Sequence, residues 1–117
     1  MDSLLKVYWL YVKFQDKNES KLRPIVTLVF NDRALSFEVL GVYSYKKKYE
    51  KNPYYKTFMY KIKDWRMANF KEQSYINVAR PFEIPFTVLM GQKYSGALTQ
   101  RDIEGFKALY NSYWSNH

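Results

Sequence analysis

The 117-residue sequence has no cysteine and only one histidine, His117. These shortages exclude disulfide scaffolds, zinc fingers and cysteine nucleophiles, and a lone histidine at a chain end argues against a Ser-His-Asp triad or a two-histidine ribonuclease. The four glycines are isolated from one another, so no glycine-rich phosphate loop is present. Carboxylates are scattered along the chain, which predicts neither a metal site nor a cofactor. Arginine, lysine, hydroxyl and aromatic side chains remain as candidates for chemistry.

Long hydrophobic runs are also missing. Lysine or aspartate interrupts every apolar run well short of the ~20 residues that span a bilayer, and residues 1–3 do not begin a signal peptide. We therefore expect a cytoplasmic protein without membrane association. A 47% hydrophobic and 20% aromatic composition predicts one folded domain over residues 1–117.

Positive charge is in excess and is concentrated in one segment. The formal net charge is +8, and residues 46–63 hold seven lysines and one acid, which is six of these eight charges. The same segment holds five aromatic residues: Tyr49, Tyr54, Tyr55, Phe58 and Tyr60. Lysines interleaved with aromatic rings are typical of single-stranded nucleic acid binding, in which base stacking contributes ~1–3 kcal/mol per base. The alternative is a solvated lysine edge that protects a strand from aggregation.

Alternating apolar residues predict mainly β structure. The predicted strands are residues 7–14, 25–30, 36–45, 55–62, 74–82 and 83–90. Between them we expect a mobile polar connection at 16–21, a bend or bulge at Gly41 and a charged segment over 46–54. Strand-rich chains of this kind favour a small, strongly bent antiparallel barrel.

Two helical elements are predicted beside the strands. Asp64 is placed to cap a short helical turn, and Thr99 to Asp102 resembles a capping box that opens an amphipathic C-terminal helix. Apolar residues at helical spacing give that helix one face for packing on the sheet: Ile103, Phe106, Leu109, Tyr110 and Tyr113. The predicted fold class is therefore mainly β (α+β).

Four short motifs follow one another along nearly the whole chain. They are KLRP at 21–24 before an apolar strand, GVYSY at 41–45, the block from Asp64 to Ile76, and GALTQRD at 96–102. In this order they resemble the PemK/MazF family of type II toxin ribonucleases. Leu5-Lys6 and Asn69-Phe70 replace the family's usual Gly-Asp and Gly-Leu, which indicates a divergent member.

The resemblance implies a Src-homology-3-like barrel and a metal-independent endoribonuclease that cuts single-stranded RNA. The 2′-hydroxyl of the RNA would attack the neighbouring phosphorus and leave a cyclic phosphate. Arg23 would neutralise the phosphorane and Ser44 would orient the scissile phosphate. With the lysine- and tyrosine-rich segment, the expected RNA-binding set is Lys21, Tyr45, Lys46, Lys47, Lys48, Tyr49 and Lys51. The implied partners are a second copy of the chain, in a homodimer, and a cognate antitoxin with an acidic tail.

Other interpretations stay open. The same barrel and basic segment would also serve a non-catalytic module that holds RNA or an acidic protein tail. A gyrase-poisoning toxin of the CcdB type ranks last, because that subgroup ends in Trp-Gly-Ile whereas this chain ends in Trp114-Ser115-Asn116-His117. The structural alternatives for the two catalytic candidates are a strand-edge arginine paired with Asp16 or Glu19, and a strand serine facing water.

Overall fold

Alternating apolar residues in the first half of the chain form the long strands of a curled antiparallel sheet. The computed structural model describes residues 4–12 and 21–117. The strands are β1 (Lys6–Val12), β2 (Lys21–Asn31), β3 (Ser36–Ser44), β4 (Met59–Lys61), β5 (Ser74–Asn77), β6 (Phe82–Pro85) and β7 (Gly96–Ala97). The helices are α1 (Lys47–Lys51), α2 (Pro53–Lys56), α3 (Phe86–Leu89) and α4 (Gln100–Ser115). A mainly β fold with a C-terminal helix is thereby confirmed.

Strand β3 is the centre of the sheet, whose order is β4-β5-β3-β2-β1-β7 with β6 also paired to β3. One edge of β3 pairs with β2, and its other edge pairs first with β6 and then, from Val42 onward, with β5. The irregular register lies between Thr27 and Val29 of β2, so the bulge predicted at Gly41 is found in the neighbouring strand instead. A bulge increases local twist and helps to curl the sheet.

Strand alternation divides the core between two faces, because residues opposite each other in register share a face. We call the face that α4 covers the first face, and its buried residues include Val7, Val26, Leu40, Val42 and Ile76. The second face carries Tyr8, Leu10, Ile25, Phe37 and Val39. The face of each remaining strand residue can then be assigned by alternation from these residues.

Helix α4 is fastened to the sheet at its first turn by Asp102. Thr99 accepts the backbone N–H of Asp102 at 3.4 Å as the N-cap, as the capping-box pattern predicts. The Asp102 carboxylate is fully buried and accepts hydrogen bonds from the Tyr60 hydroxyl at 2.6 Å and from the N–H groups of Lys63 and Asp64, both at 2.8 Å. A buried carboxylate is tolerated only with such partners. They join the start of α4 to the end of β4.

Asp64 has a different role from the predicted helix cap. Its side chain pairs with Arg101 and accepts the Thr99 hydroxyl at 2.6 Å, so it binds the first turn of α4. Arg101 first, and then Thr99, hold the pKa of Asp64 below its ordinary range. The predicted turn forms through the backbone instead, where the Asp64 carbonyl accepts the N–H groups of Met67 and Ala68.

Several boundaries differ from those predicted from the sequence. The charged segment at 46–54 and the first part of the predicted strand at 55–62 form α1 and α2, and only Met59–Lys61 remain as a strand. Asn52 ends α1 and accepts the Tyr54 N–H at 3.0 Å to cap α2, with Pro53 at the first helical position.

The later strands are shorter than predicted. Strand β5 ends at Asn77, and β6 ends at Pro85, after which α3 begins. Most of the mobile connection predicted at 16–21 lies outside the described residues, and Lys21 already belongs to β2.

Replacing Asp102 with asparagine should destabilise the fold by about 3 kcal/mol. The new amide NH₂ is itself a donor, and it would face the donor groups whose hydrogen bonds the carboxylate now accepts. Glu104→Gln makes the same change of charge on an exposed side chain of α4 and should cost less than ~0.5 kcal/mol. Urea unfolding measures both values. An equal loss in the two variants would show that charge, not the buried network, is responsible.

Candidate functional site

A cleft of about 640 Å³ opens at one end of the sheet. Its walls come from β3, from the segment between α1 and β4, from the chain after β5 and from the end of α4. Aromatic side chains dominate these walls, among them Tyr43, Tyr49, Tyr54, Tyr55, Phe58 and Tyr113. We call this site the tyrosine cleft.

The rings of the cleft touch one another in a continuous chain. Tyr75, beneath the cleft, contacts Tyr49 with ring centroids 5.2 Å apart, and Tyr49 contacts Tyr55 at the same distance. Phe58 continues the chain, at 5.7 Å from Tyr55 and 6.4 Å from Tyr113. Edge-on ring pairs are worth ~0.5–1.5 kcal/mol beyond the area they bury. They hold α1 and α2, of five and four residues, in place and so form the wall.

Two cations line the cleft from different parts of the chain. The Lys48 ammonium lies 5.3 Å from the ring centroid of Tyr55. Arg80 follows a turn in which Asn77 accepts the Ala79 N–H at 2.9 Å, and Pro81 after it favours an extended backbone at Arg80. Among the described lining residues there is no aspartate or glutamate side chain. The cleft is therefore suited to an anionic ligand that also carries flat apolar surfaces.

The end of α4 forms the wall that faces α2. The Trp114 indole N–H donates to the Val78 carbonyl at 3.0 Å, which fastens the last turn of the helix to the chain just before Arg80. This contact places Tyr113 and His117 on the cleft. His117 is thus part of the site, although its position at the chain end argued against a catalytic role in the sequence.

Glu50 anchors α1 to the sheet. Its carboxylate pairs with Lys61 on β4 and accepts the Tyr75 hydroxyl at 3.0 Å. Lys61 first, and then Tyr75, lower the pKa of Glu50. Burial raises the pKa of Tyr75, and the hydrogen bond to Glu50 raises it further. Helix α1 is therefore held to two strands, and this attachment orients Lys48 and Tyr49.

The two residues predicted to be catalytic lie on opposite faces of the sheet. Arg23 is half-buried opposite Leu10, so it belongs to the second face. It is two residues from Ile25, whose partner Gly41 lines the tyrosine cleft. Ser44 is the exposed last residue of β3, and alternation from Val42 assigns it to the first face. Neither Arg23 nor Ser44 lines the tyrosine cleft. Strand register places Arg23 on the same face of the sheet as Gly41 and Ser44 on the opposite face. Asp16 and Glu19, the alternative partners of Arg23, lie outside the described residues.

Two of the seven predicted RNA-binding residues line the cleft. Lys48 and Tyr49 line it, although Tyr49 is only 6% exposed. Tyr45, Lys46, Lys47 and Lys51 are exposed in or next to α1. Lys21 is exposed at the start of β2, opposite Val12.

Sequence reasoning missed five of the ring-bearing or charged residues that line the cleft: Tyr43, Arg80, Phe82, Tyr113 and His117. One signal was available for Arg80, because Arg80-Pro81 repeats the Arg-Pro pair of Arg23-Pro24. For the others the sequence gives no local sign that they meet.

Comparison with known proteins identifies no family. The chain matches no protein-family model, and no curated protein matches it at a significant level. Within residues 4–12 and 21–117, no three acidic or histidine side chains gather as metal ligands. Across the same ranges, every helix is too short or too polar to cross a membrane.

Glu50→Gln should make the fold less sensitive to acid. Because the pKa of Glu50 is lowered on folding, its carboxylate stabilises the native state above about pH 4, the ordinary carboxylate range, and this contribution disappears as pH falls through the lowered value. The melting temperature of the wild type should thus fall more between pH 7 and pH 3 than that of Glu50→Gln. Glu72→Gln, at an exposed side chain, is the control. Parallel melting curves for wild type and Glu50→Gln would contradict the anchoring role.

Proposed function

We propose that the tyrosine cleft binds single-stranded RNA and that the protein cuts this RNA as a metal-independent endoribonuclease of the PemK/MazF type, the toxin of a toxin–antitoxin pair. The observation that carries the proposal is the convergence of aromatic rings, Lys48 and Arg80 in one cleft without an aspartate or glutamate among its described lining residues. Rings stack on unpaired bases, and cations neutralise the phosphates between them.

The aromatic lining of the cleft favours binding of an unpaired strand over binding of a duplex. Bases inside a duplex are stacked on each other and do not reach an aromatic side chain, whereas single strands expose both base faces. A volume of about 640 Å³ is within the usual range for small-ligand sites, so the cleft takes a short stretch of nucleotides. Lys46, Lys47 and Lys51 on the exposed surface beside it then attract the flanking phosphates.

Arg23 is the residue we assign to the reaction. A guanidinium group binds a phosphate through two parallel hydrogen bonds and stabilises the charge that builds on phosphorus while the 2′-hydroxyl attacks. Its place on the same face of the sheet as Gly41, which lines the cleft, supports this role. Ser44 enters the proposal through the family resemblance alone. The curled sheet with its C-terminal helix is compatible with the Src-homology-3-like barrel that this function implies.

The proposed partners follow from the same charge pattern. A cleft with cations and aromatic rings also suits a disordered acidic tail that bears an apolar anchor, which would compete with RNA for the site. We propose that an antitoxin supplies this tail, that the toxin is a homodimer, and that both act in the cytoplasm.

A second candidate is an RNA-binding module without catalysis. It is favoured by the register, which places Arg23 and Ser44 on opposite faces and leaves the predicted pair apart. Such a module would bind the same single strands and give no cleavage products.

Arg23→Ala should lower the rate of RNA cleavage by about 10²–10³-fold, because it removes a donor that acts on the transition state. Arg23→Lys should also lose cleavage activity, because lysine keeps the positive charge but cannot form two parallel hydrogen bonds to the phosphate. Sequencing of RNA 5′ ends locates the cuts, and excess EDTA should not stop them. Arg33→Ala, in the exposed turn between β2 and β3, is the control. Cleavage at the wild-type rate by Arg23→Ala would disprove the assignment.

Tyr54→Ala should weaken binding of single-stranded RNA by ~1–3 kcal/mol, because this ring is 65% exposed in the cleft and is free to stack on a base. Tyr94→Ala removes another exposed tyrosine, 49% accessible, that does not line the cleft, and it should leave binding unchanged. Fluorescence anisotropy of a labelled RNA measures both. Equal losses would place the RNA outside the cleft.

A further inference from the structure

We infer that His117 is the base that takes the proton from the attacking 2′-hydroxyl, an inference that rests on the proposed ribonuclease function. The side chain lines the tyrosine cleft just beyond the last turn of α4, in the same cavity as Lys48 and Arg80. It is the single histidine of the sequence. Placement in the cleft, and not the residue type alone, makes it a candidate.

Two contacts with Tyr113 fix the ring and its tautomer. The imidazole stacks on the Tyr113 ring with centroids 4.0 Å apart and planes 13° from parallel. Its Nδ1 lies 2.7 Å from the Tyr113 carbonyl oxygen. Since a carbonyl oxygen only accepts, Nδ1 carries the proton and donates it, and the neutral ring keeps its lone pair on Nε2. Nε2, the nitrogen that can accept a proton, is therefore the one that can face a ligand.

The other groups of the cleft are poor bases. The side chains of Lys48 and Arg80 donate hydrogen bonds and do not accept them, and a tyrosine hydroxyl is a weaker proton acceptor than an imidazole nitrogen. The described lining residues include no aspartate or glutamate side chain. An imidazole with one unprotonated nitrogen can take a proton from a hydroxyl and later return it, which is what a general base requires.

The proposed step balances with water as the one added reactant. Nε2 of His117 accepts the 2′-hydroxyl proton while the 2′-oxygen forms a bond to phosphorus. The bond from phosphorus to the 5′-oxygen breaks, the 5′-oxygen takes a proton from water, and the imidazolium returns its proton to the resulting hydroxide. A 2′,3′-cyclic phosphate and a 5′-hydroxyl are the products. Arg23 keeps its proposed role at the reacting phosphorus, and Arg80 and Lys48 bind phosphates of the RNA in the cleft.

The test uses the untagged full chain and a synthetic RNA that contains a cleavage site mapped by 5′-end sequencing. Single-turnover cleavage gives the rate, and the same RNA with a 2′-deoxy sugar at the site gives the affinity without cleavage. His117→Ala should cut about 10²–10⁴-fold more slowly and bind the 2′-deoxy RNA as the wild type does. Added imidazole should restore part of the rate to His117→Ala and none to Arg23→Ala. Asn116→Ala, next to it in the chain and outside the cleft, should behave as the wild type.

Three results would overturn the inference. Wild-type cleavage by His117→Ala, with Arg23→Ala inactive, would place the base elsewhere and leave the ribonuclease function intact. A parallel loss of rate and of affinity without rescue by imidazole would make His117 a stacking residue. A wild-type protein that binds the all-ribose RNA and never cuts it would remove the ribonuclease function itself, and the role of His117 with it.

Discussion

The arrangement of the cleft depends on the hydrogen bonds that the buried carboxylate of Asp102 accepts. This carboxylate lies in the first turn of α4 and accepts three hydrogen bonds from the end of β4 and the turn beyond it. A carboxylate removed from water requires all of these donors, so the helix can start in only one place. From that start, α4 carries Phe106 into the first-face core and, about two turns after Phe106, Tyr113 to the cleft wall. The geometry of the proposed site is thus set at the opposite end of the helix.

The abundance of tyrosine has two separate explanations. Tyr60, Tyr75 and Tyr110 each donate to a carboxylate, on Asp102, Glu50 and Glu38 respectively. Burial raises the pKa of all three hydroxyls, and the neighbouring carboxylate adds to the effect. These residues join α4, α1 and the strands, as buried tyrosines commonly do. In the cleft, the exposed ring of Tyr54 offers a face to a ligand, whereas Tyr49 is buried between the rings of Tyr55 and Tyr75 and belongs to the wall.

The two candidate functions share the cleft and differ only in what happens to the RNA. Binding needs stacking surfaces and positive charge, and both come from α1, α2 and the chain after β5. Cleavage needs groups that act on one phosphate and its 2′-hydroxyl. Arg23, on the same face of the sheet as Gly41, and His117, on the cleft wall, are two such groups, and neither depends on Ser44 being close by. The opposite-face register therefore argues against Arg23 and Ser44 acting as a pair more than it argues against the proposed reaction.

The sequence by itself determined the features that depend on near neighbours in the chain. Alternating residues predicted the long strands, the spacing from Ile103 to Tyr113 predicted the apolar face of α4, and Thr99 predicted its start. The excess of lysine and aromatic residues at 46–63 predicted a basic aromatic surface, part of which lines the cleft.

Only the tertiary structure decided which residues meet. A shift of one position between Tyr43 and Ser44 changes the face of the sheet, and that choice depends on pairing with β2 and β5. The helices α1 and α2 replace a predicted loop and part of a strand because Glu50 and the ring contacts reach distant elements. Arg80 and His117 share a cleft although 36 residues separate them, because Trp114 binds the Val78 carbonyl. Local patterns specify strands and helix faces, whereas a site made of distant residues requires the register and packing of the whole sheet.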